Sequence, residues 1–139
     1  MHIDKENSEL CWISLILRIA MASLFAVAAY GKFTGLENYT AMIMGMFKDT
    51  FLPGWLLSPY VNLLPYAEAL AAVWLLVGVK LREAWIFTAF VLVSLAFGMI
   101  VAKQATGASE NYIYVVIACL GLYVSRYDGC ALLGKCCKK

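Results

Sequence analysis

The sequence predicts an all-α integral membrane protein, a four-helix bundle with a short interfacial helix between the first and second spans. Hydrophobic residues make up 63% of the chain and charged residues only 14%, with a mean hydropathy of +0.79. Soluble domains average about one half apolar and one quarter charged residues. The sequence contains four apolar stretches. A membrane span needs about 20 residues, so four spans would use most of the 139 residues. Residues 1–139 are therefore predicted to form a single four-span membrane domain.

The first span is predicted at about residues 10–30, in an apolar run that Arg18 interrupts. Ala26-Val27-Ala28 resembles the cleavage site of a secretory signal. However, the segment before the run is mostly acidic, and a charge within the apolar region does not suit a signal peptide. We therefore expect this segment to be retained as a span.

The next segment, residues 36–52, carries apolar side chains at helical spacing among charged residues. This pattern predicts a short amphipathic helix that lies in the membrane interface. Pro53-Gly54 is expected to end that helix. Trp55 and Tyr60 follow it and are expected to anchor the next span at the level of the lipid headgroups.

The remaining spans are predicted at about residues 59–79, 84–102 and 110–126. The connection between the second and third spans is so short that these helices must be antiparallel neighbours. The fourth span has an apolar core of only about 14 residues, so it needs flanking residues to cross the bilayer. The polar segment 104–110 is expected to be the loop before it.

Basic residues near the span ends predict the orientation. One side collects seven of them and the other side three, and the basic side is expected to face the cytoplasm. Both termini and the tail, residues 127–139, are then cytoplasmic, and the inner (plasma) membrane is the expected location. The seven are Lys5, Lys80, Arg82, Arg126, Lys135, Lys138 and Lys139; the three are Lys32, Lys48 and Lys103.

Arg18 in the first span and Glu68 in the second are the main candidates for a polar site within the bundle. Their estimated depths, about 12 Å and 16 Å from the same membrane edge, predict that they pair. Pairing is the least costly arrangement for two charges surrounded by hydrocarbon. Such a pair either fixes helix register or forms the floor of a binding site for a polar head group, and the residues leave both interpretations open.

Three other residues are candidates for the same polar site. Lys32 directly follows the first span, where it either extends its ammonium group toward headgroups or faces an acidic partner. Tyr66 either contributes a hydroxyl to an outward-facing cavity or anchors the helix at the interface. Asn111 lies at the start of the fourth span, where its amide is expected to reach toward headgroups or into the site.

The five cysteines give a weaker signal. Cys130, Cys136 and Cys137 cluster among lysines in the tail. Nearby cations lower a thiol pKa, which makes these residues candidates for a reactive, lipid-acceptor or soft-metal site. The inert or acylated interpretation is favoured, because the tail has neither a paired C-x-x-C motif nor a nearby histidine. No metal site is predicted from this pattern.

Several short motifs together resemble the DoxX-like small membrane proteins, whose relatives include DoxD and MauE. These motifs are Arg18 in the first span, Gly31-Lys32-Phe33 at its end, Pro65-x-x-Glu68 in the second span and Gly78-x-x-x-Arg82 after it. The resemblance implies a four-helix membrane partner in redox or sulfur metabolism, with Arg18, Lys32 and Glu68 at the matching polar positions. MauE-like members often carry a Cys-x-Cys-Phe-Gly segment after the third span. Residues 105–109 of this chain contain no cysteine at that place, so an outward-facing dithiol is not expected.

These observations favour an accessory or anchoring membrane subunit of a redox or sulfur-metabolism complex, which is not expected to be catalytic alone. Its site would take a quinone or a sulfur compound, and quinone is the only candidate cofactor. Two alternatives stay open: a non-enzymatic assembly factor for another membrane protein, and a small proton-coupled transporter. The expected partners are the lipid bilayer and another membrane or peripheral redox protein, with a homo-oligomer also open. The scattered charge gives no basic stripe, so a nucleic-acid partner is not expected.

Overall fold

The computed structural model describes the backbone of residues 2–127 and the side chains of residues 9–127. This part of the chain is entirely helical apart from short connections, and four of its helices are long and apolar enough to cross a membrane. The prediction of an all-α four-span bundle is therefore confirmed. The elements are α1 (His2–Thr34), α2 (Leu36–Met46), α3 (Gly54–Val77), α4 (Leu81–Val101), α5 (Ala105–Val124) and a 3₁₀ turn (Ser125–Tyr127).

The four long helices form a closed arrangement in which α1 packs on α3, α3 on α4, α4 on α5, and α5 on α1. Large apolar side chains cover the outside of the bundle; Val27 and Phe90, for example, are 72% and 70% exposed. In water such a surface would be unusually extensive, but in a bilayer the lipid tails cover it. The protein is thus a multi-pass membrane protein in direct contact with lipid.

Alanine is common in the core of the bundle, which lets neighbouring helices approach closely. Ala22, Ala71, Ala96 and Ala118 are all almost completely buried. The largest buried side chain, Trp85 on α4, fits beside α5. The core therefore depends on close contact between backbones as well as on large side chains.

Helices α1 and α2 differ in extent from the sequence prediction. The regular helix α1 continues past Tyr30 to Thr34, which places Lys32 in its last turn. A cation is favourable there because the carbonyl end of a helix carries partial negative charge. Helix α2 ends at Met46 rather than near residue 52, and it packs against α3 and the end of α1.

Helices α3 and α5 both begin five residues before their predicted starts. Helix α3 starts at Gly54 and continues through Pro59 and Pro65. Each proline removes a backbone donor, which membrane helices tolerate when neighbouring groups compensate. Helix α5 starts at Ala105, so its first turns contain most of the segment that was expected to be a loop.

A tight turn joins α3 to α4 and fixes their antiparallel arrangement. Gly78 ends α3 with a φ of 74°, a left-handed conformation that suits glycine. The Trp74 indole donates a hydrogen bond to the Val79 carbonyl at 2.8 Å and holds the turn against the end of α3. This turn forms one end of the bundle, and the connections that flank α2 belong to the other end.

Candidate functional site

The centre of the candidate site is an ion pair between Lys32, in the last turn of α1, and Glu68, in the middle of α3. The Lys32 ammonium donates a hydrogen bond to Glu68 Oε1. Glu68 lies 14 residues after Gly54, which is about 21 Å along the helix axis. Glu68 therefore lies near the middle of α3, beside the last turn of α1.

Helical periodicity explains why Glu68 points inward. It occupies one position in a buried stripe of α3 whose other members are apolar, namely Leu57, Val61, Leu64, Pro65, Ala71, Ala72 and Leu75. A carboxylate therefore stands where the pattern of the helix calls for an apolar side chain, and Glu68 is only 1% exposed. An acid in such a position is costly unless it has a partner, and Lys32 is that partner.

The second carboxylate oxygen of Glu68 has a different environment. Oε2 is fully buried, and no donor among the described residues reaches it. A buried acceptor without a hydrogen bond is destabilising by about 1–3 kcal/mol, and by more when it is charged. The pair therefore offers one unused strong acceptor beside an ammonium group that has further N–H bonds to donate.

Two tyrosines that the sequence analysis did not place in the site lie near this pair. The Lys32 ammonium lies 5.5 Å from the centre of the Tyr39 ring, in cation–π range. Tyr39 and Tyr60 are both close enough to Glu68 for its charge to act on them. Burial raises the pKa of Tyr39, and the charge of Glu68 raises it further. Tyr39 on α2 is therefore a neutral phenol at physiological pH.

Tyr60 also lines a groove between α3 and α4. Its hydroxyl is hydrogen-bonded to the Ser94 hydroxyl at 2.9 Å. Both residues line an open, mainly apolar groove of about 230 Å³, whose other walls include Leu63 and Phe90. Tyr60 had been expected to anchor α3 at headgroup level, but it is half-buried and bonds to α4 instead.

The predicted pair between Arg18 and Glu68 is wrong. Arg18 is buried, but its guanidinium group lies at the C-terminal end of α3, where Nη2 donates to the Leu76 carbonyl at 3.3 Å and the group faces Gly78. The carbonyls of the last helical turn lack intrahelical donors, so they attract a cation. Arg18 therefore binds the end of α3, and Lys32 binds Glu68.

The structure does not bring the other two predicted site residues to the ion pair. Tyr66 is 58% exposed, and its ring packs edge-on against Phe33 with 5.1 Å between ring centres. The Asn111 side chain donates to the Gly107 carbonyl in its own helix at 2.7 Å. Tyr39, whose ring centre is 5.5 Å from the Lys32 ammonium, does lie beside the ion pair. Tyr60, Leu64 and Glu68 are spaced four residues apart, which places them on one face of a helix. This spacing was the sequence signal that could have placed Tyr60 on the same side of α3 as Glu68.

The predicted thiol site falls on residues that the structure does not describe, since Cys130, Cys136 and Cys137 all follow Tyr127. Cys11 and Cys119 are free thiols within the described part of the chain. No group of three or more potential metal ligands occurs among the described residues.

Comparison with known proteins identifies one family. The family model of methylamine utilisation protein MauE matches residues 10–111, from the start of the apolar part of α1 into α5. The matched region contains Lys32 and Glu68, as well as Arg18. No curated protein and no solved structure gives a significant match to the chain.

Proposed function

Since the chain belongs to the MauE family of membrane proteins, we propose that it is an accessory membrane subunit of a redox system that binds a quinone head group beside Lys32 and Glu68. The family name, which refers to methylamine utilisation, supports a role in a redox pathway. The site assignment rests on the environment of Glu68. It is a buried carboxylate that uses one oxygen for Lys32 and leaves the other without a donor.

The polar groups of the site match both forms of such a head group. A quinone supplies carbonyl acceptors and its reduced form supplies hydroxyl donors. Lys32 is suited to donate a hydrogen bond to a carbonyl, and Glu68 Oε2 is suited to accept one from a hydroxyl. Bound quinone carries the electrons and protons of the redox system, while the described residues of this chain hold and orient its head group.

The groove between α3 and α4 supports entry from the membrane. A lipophilic ligand reaches a protein through the hydrocarbon phase, and this groove is lined by apolar side chains with the Tyr60 and Ser94 hydroxyls among them. Small-molecule sites commonly combine an apolar wall with a few polar groups that fix orientation. In the predicted orientation, with both termini in the cytoplasm, α2 and the end of the groove nearest to it lie on the outer side.

Direct binding tests the proposed ligand. We expect purified protein in detergent to bind a short-chain ubiquinone, and Glu68→Gln to weaken that binding by about tenfold or more, because a charge-assisted hydrogen bond contributes about 1.5–3 kcal/mol. Titration calorimetry measures the change. Glu83→Gln is the matched control, since Glu83 is exposed in the first turn of α4. A folded Glu68→Gln protein with unchanged affinity would contradict the site.

Purification from native membranes tests the subunit role separately. We expect stable, stoichiometric association with another membrane or peripheral redox protein. Transient association with a protein that is still being assembled would instead support an assembly factor. Proton-coupled solute uptake by liposomes that contain this protein alone would support a transporter and contradict the subunit role.

A further inference from the structure

A second cavity lies at the opposite end of the bundle from α2. It has a volume of about 780 Å³ and is formed by the α3–α4 turn together with the end of α5 and the 3₁₀ turn that follows. The Lys32–Glu68 pair does not line it. Any ligand of this cavity is therefore independent of the quinone proposal.

The lining of this cavity is strongly cationic. Lys80, Arg82 and Arg126 all contribute to it, and none of the described lining residues is acidic. Lys80 also pairs with Glu83 at 3.6 Å, whereas Arg82 and Arg126 have no acidic partner among the described residues. Both N-terminal and C-terminal helix ends lie near the cavity, so their partial charges largely cancel. The charged side chains therefore determine the sign of the electrostatic potential there.

The cavity also has an apolar wall that continues to the lipid-facing surface. Leu81, Leu122 and Tyr123 line it, and Tyr123 is 57% exposed on the outside of α5. The guanidinium group of Arg126 stacks over the Tyr123 ring, 4.5 Å from its centre, at the boundary between the charged and apolar parts. A ligand that fills both parts needs an anionic group attached to a hydrocarbon chain.

We propose that this cavity binds an anionic phospholipid, with the phosphate among Lys80, Arg82 and Arg126 and an acyl chain along Leu122 and Tyr123. Its position at the end of the spanning helices is the level at which phospholipid headgroups lie. A zwitterionic headgroup carries a compensating cation that three nearby basic side chains would repel. The cavity therefore selects lipids with net negative charge.

The test compares lipids by their effect on the purified full-length protein. We expect phosphatidylglycerol to raise the melting temperature in detergent and to remain bound in native mass spectrometry, whereas phosphatidylcholine does neither. Glycerol 3-phosphate, the soluble part of the headgroup, should have no effect at the same concentration. Stabilisation by glycerol 3-phosphate equal to that by phosphatidylglycerol would identify a site for soluble phosphate esters and overturn the proposal.

Substitutions locate the binding. Arg82→Gln with Arg126→Gln should weaken phosphatidylglycerol binding about thirtyfold, since each basic residue near a membrane surface adds about 1 kcal/mol of attraction to anionic lipid and every 1.4 kcal/mol is a factor of ten. If that protein does not fold, Lys80→Asn with Arg82→Gln replaces it, because asparagine tolerates the left-handed backbone of Lys80. Lys48→Gln with Lys103→Gln removes the same charge elsewhere and should leave binding unchanged. Equal losses in both double variants would overturn the proposal.

Discussion

At the scale of single residues, the choice of partner for Glu68 is the most informative result. Arg18 and Lys32 lie on the same inward-facing side of α1, 14 residues apart, which is about 21 Å along the helix. Both cations therefore face α3, but at different heights. Arg18 reaches the carbonyl end of α3, and Lys32 reaches the carboxylate in its middle.

A double-mutant cycle measures the Lys32–Glu68 interaction. We expect Lys32→Gln and Glu68→Gln each to lower the free energy of unfolding by about 3–5 kcal/mol, because each leaves one buried charge without its partner. The double variant should lose at least about 1 kcal/mol less than the sum of the single losses, since contacting residues are coupled. Unfolding in mixed detergent micelles measures these changes.

The control cycle combines Arg18→Gln with Glu68→Gln. These two losses should add to within about 0.5 kcal/mol, because Arg18 bonds to the Leu76 carbonyl, eight residues along α3 from Glu68, while Glu68 pairs with Lys32. Strong coupling in this control, together with additivity in the first cycle, would show that Arg18 rather than Lys32 is the partner of Glu68.

At the scale of secondary-structure elements, the α4–α5 contact depends on a missing side chain. Gly121 on α5 faces Trp85 on α4, and a Cβ atom at Gly121 would lie 2.5 Å from three atoms of the indole ring. That distance is far inside van der Waals contact. The closest approach of these helices therefore requires glycine for steric reasons.

Gly121→Ala should destabilise the protein by about 1–3 kcal/mol, the usual cost of overfilling a packed core. Thermal unfolding in detergent measures the change. Gly45→Ala on α2 is the matched control, because a Cβ atom there meets nothing within 4 Å and alanine favours a helix by about 0.5–1 kcal/mol. Equal melting temperatures for the two variants would contradict the proposed steric role of Gly121.

At the scale of the whole molecule, the two ends of the bundle differ in charge and in structure. The end that contains the α3–α4 turn carries Lys80, Arg82 and Arg126 around a large cavity. The other end carries α2, which packs on α3 above the last turn of α1. Because basic ends of membrane proteins are retained in the cytoplasm, this asymmetry predicts the orientation of the bundle.

Site-directed labelling tests that orientation in intact cells. In a cysteine-free background, Lys103→Cys should react with a membrane-impermeant maleimide, because Lys103 is exposed in the α4–α5 connection on the predicted outer side. Arg82→Cys is the matched variant at the opposite end, and it should react only after the cells are permeabilised. Labelling of Arg82→Cys in intact cells, without labelling of Lys103→Cys, would show the opposite orientation.

The sequence by itself determined the fold class and the kinds of residue that form the site. Its low charge and long apolar runs require a membrane, and the length of each run sets the number of spans. The same apolar background makes Arg18 and Glu68 conspicuous, because charges are costly in hydrocarbon. Lys32 was also a candidate, since it directly follows the first span.

Only the tertiary structure decided which cation pairs with Glu68 and which hydroxyl groups lie near it. Pairing depends on how far α1 is displaced along α3, and uniformly apolar helices carry no periodic signal that fixes this displacement. In the structure the last turn of α1 lies beside the middle of α3, so Lys32 reaches Glu68 and Arg18 reaches the C-terminal end of α3. Tyr39 and Tyr60 lie near the pair for the same reason, because contacts between helices depend on packing that composition does not specify.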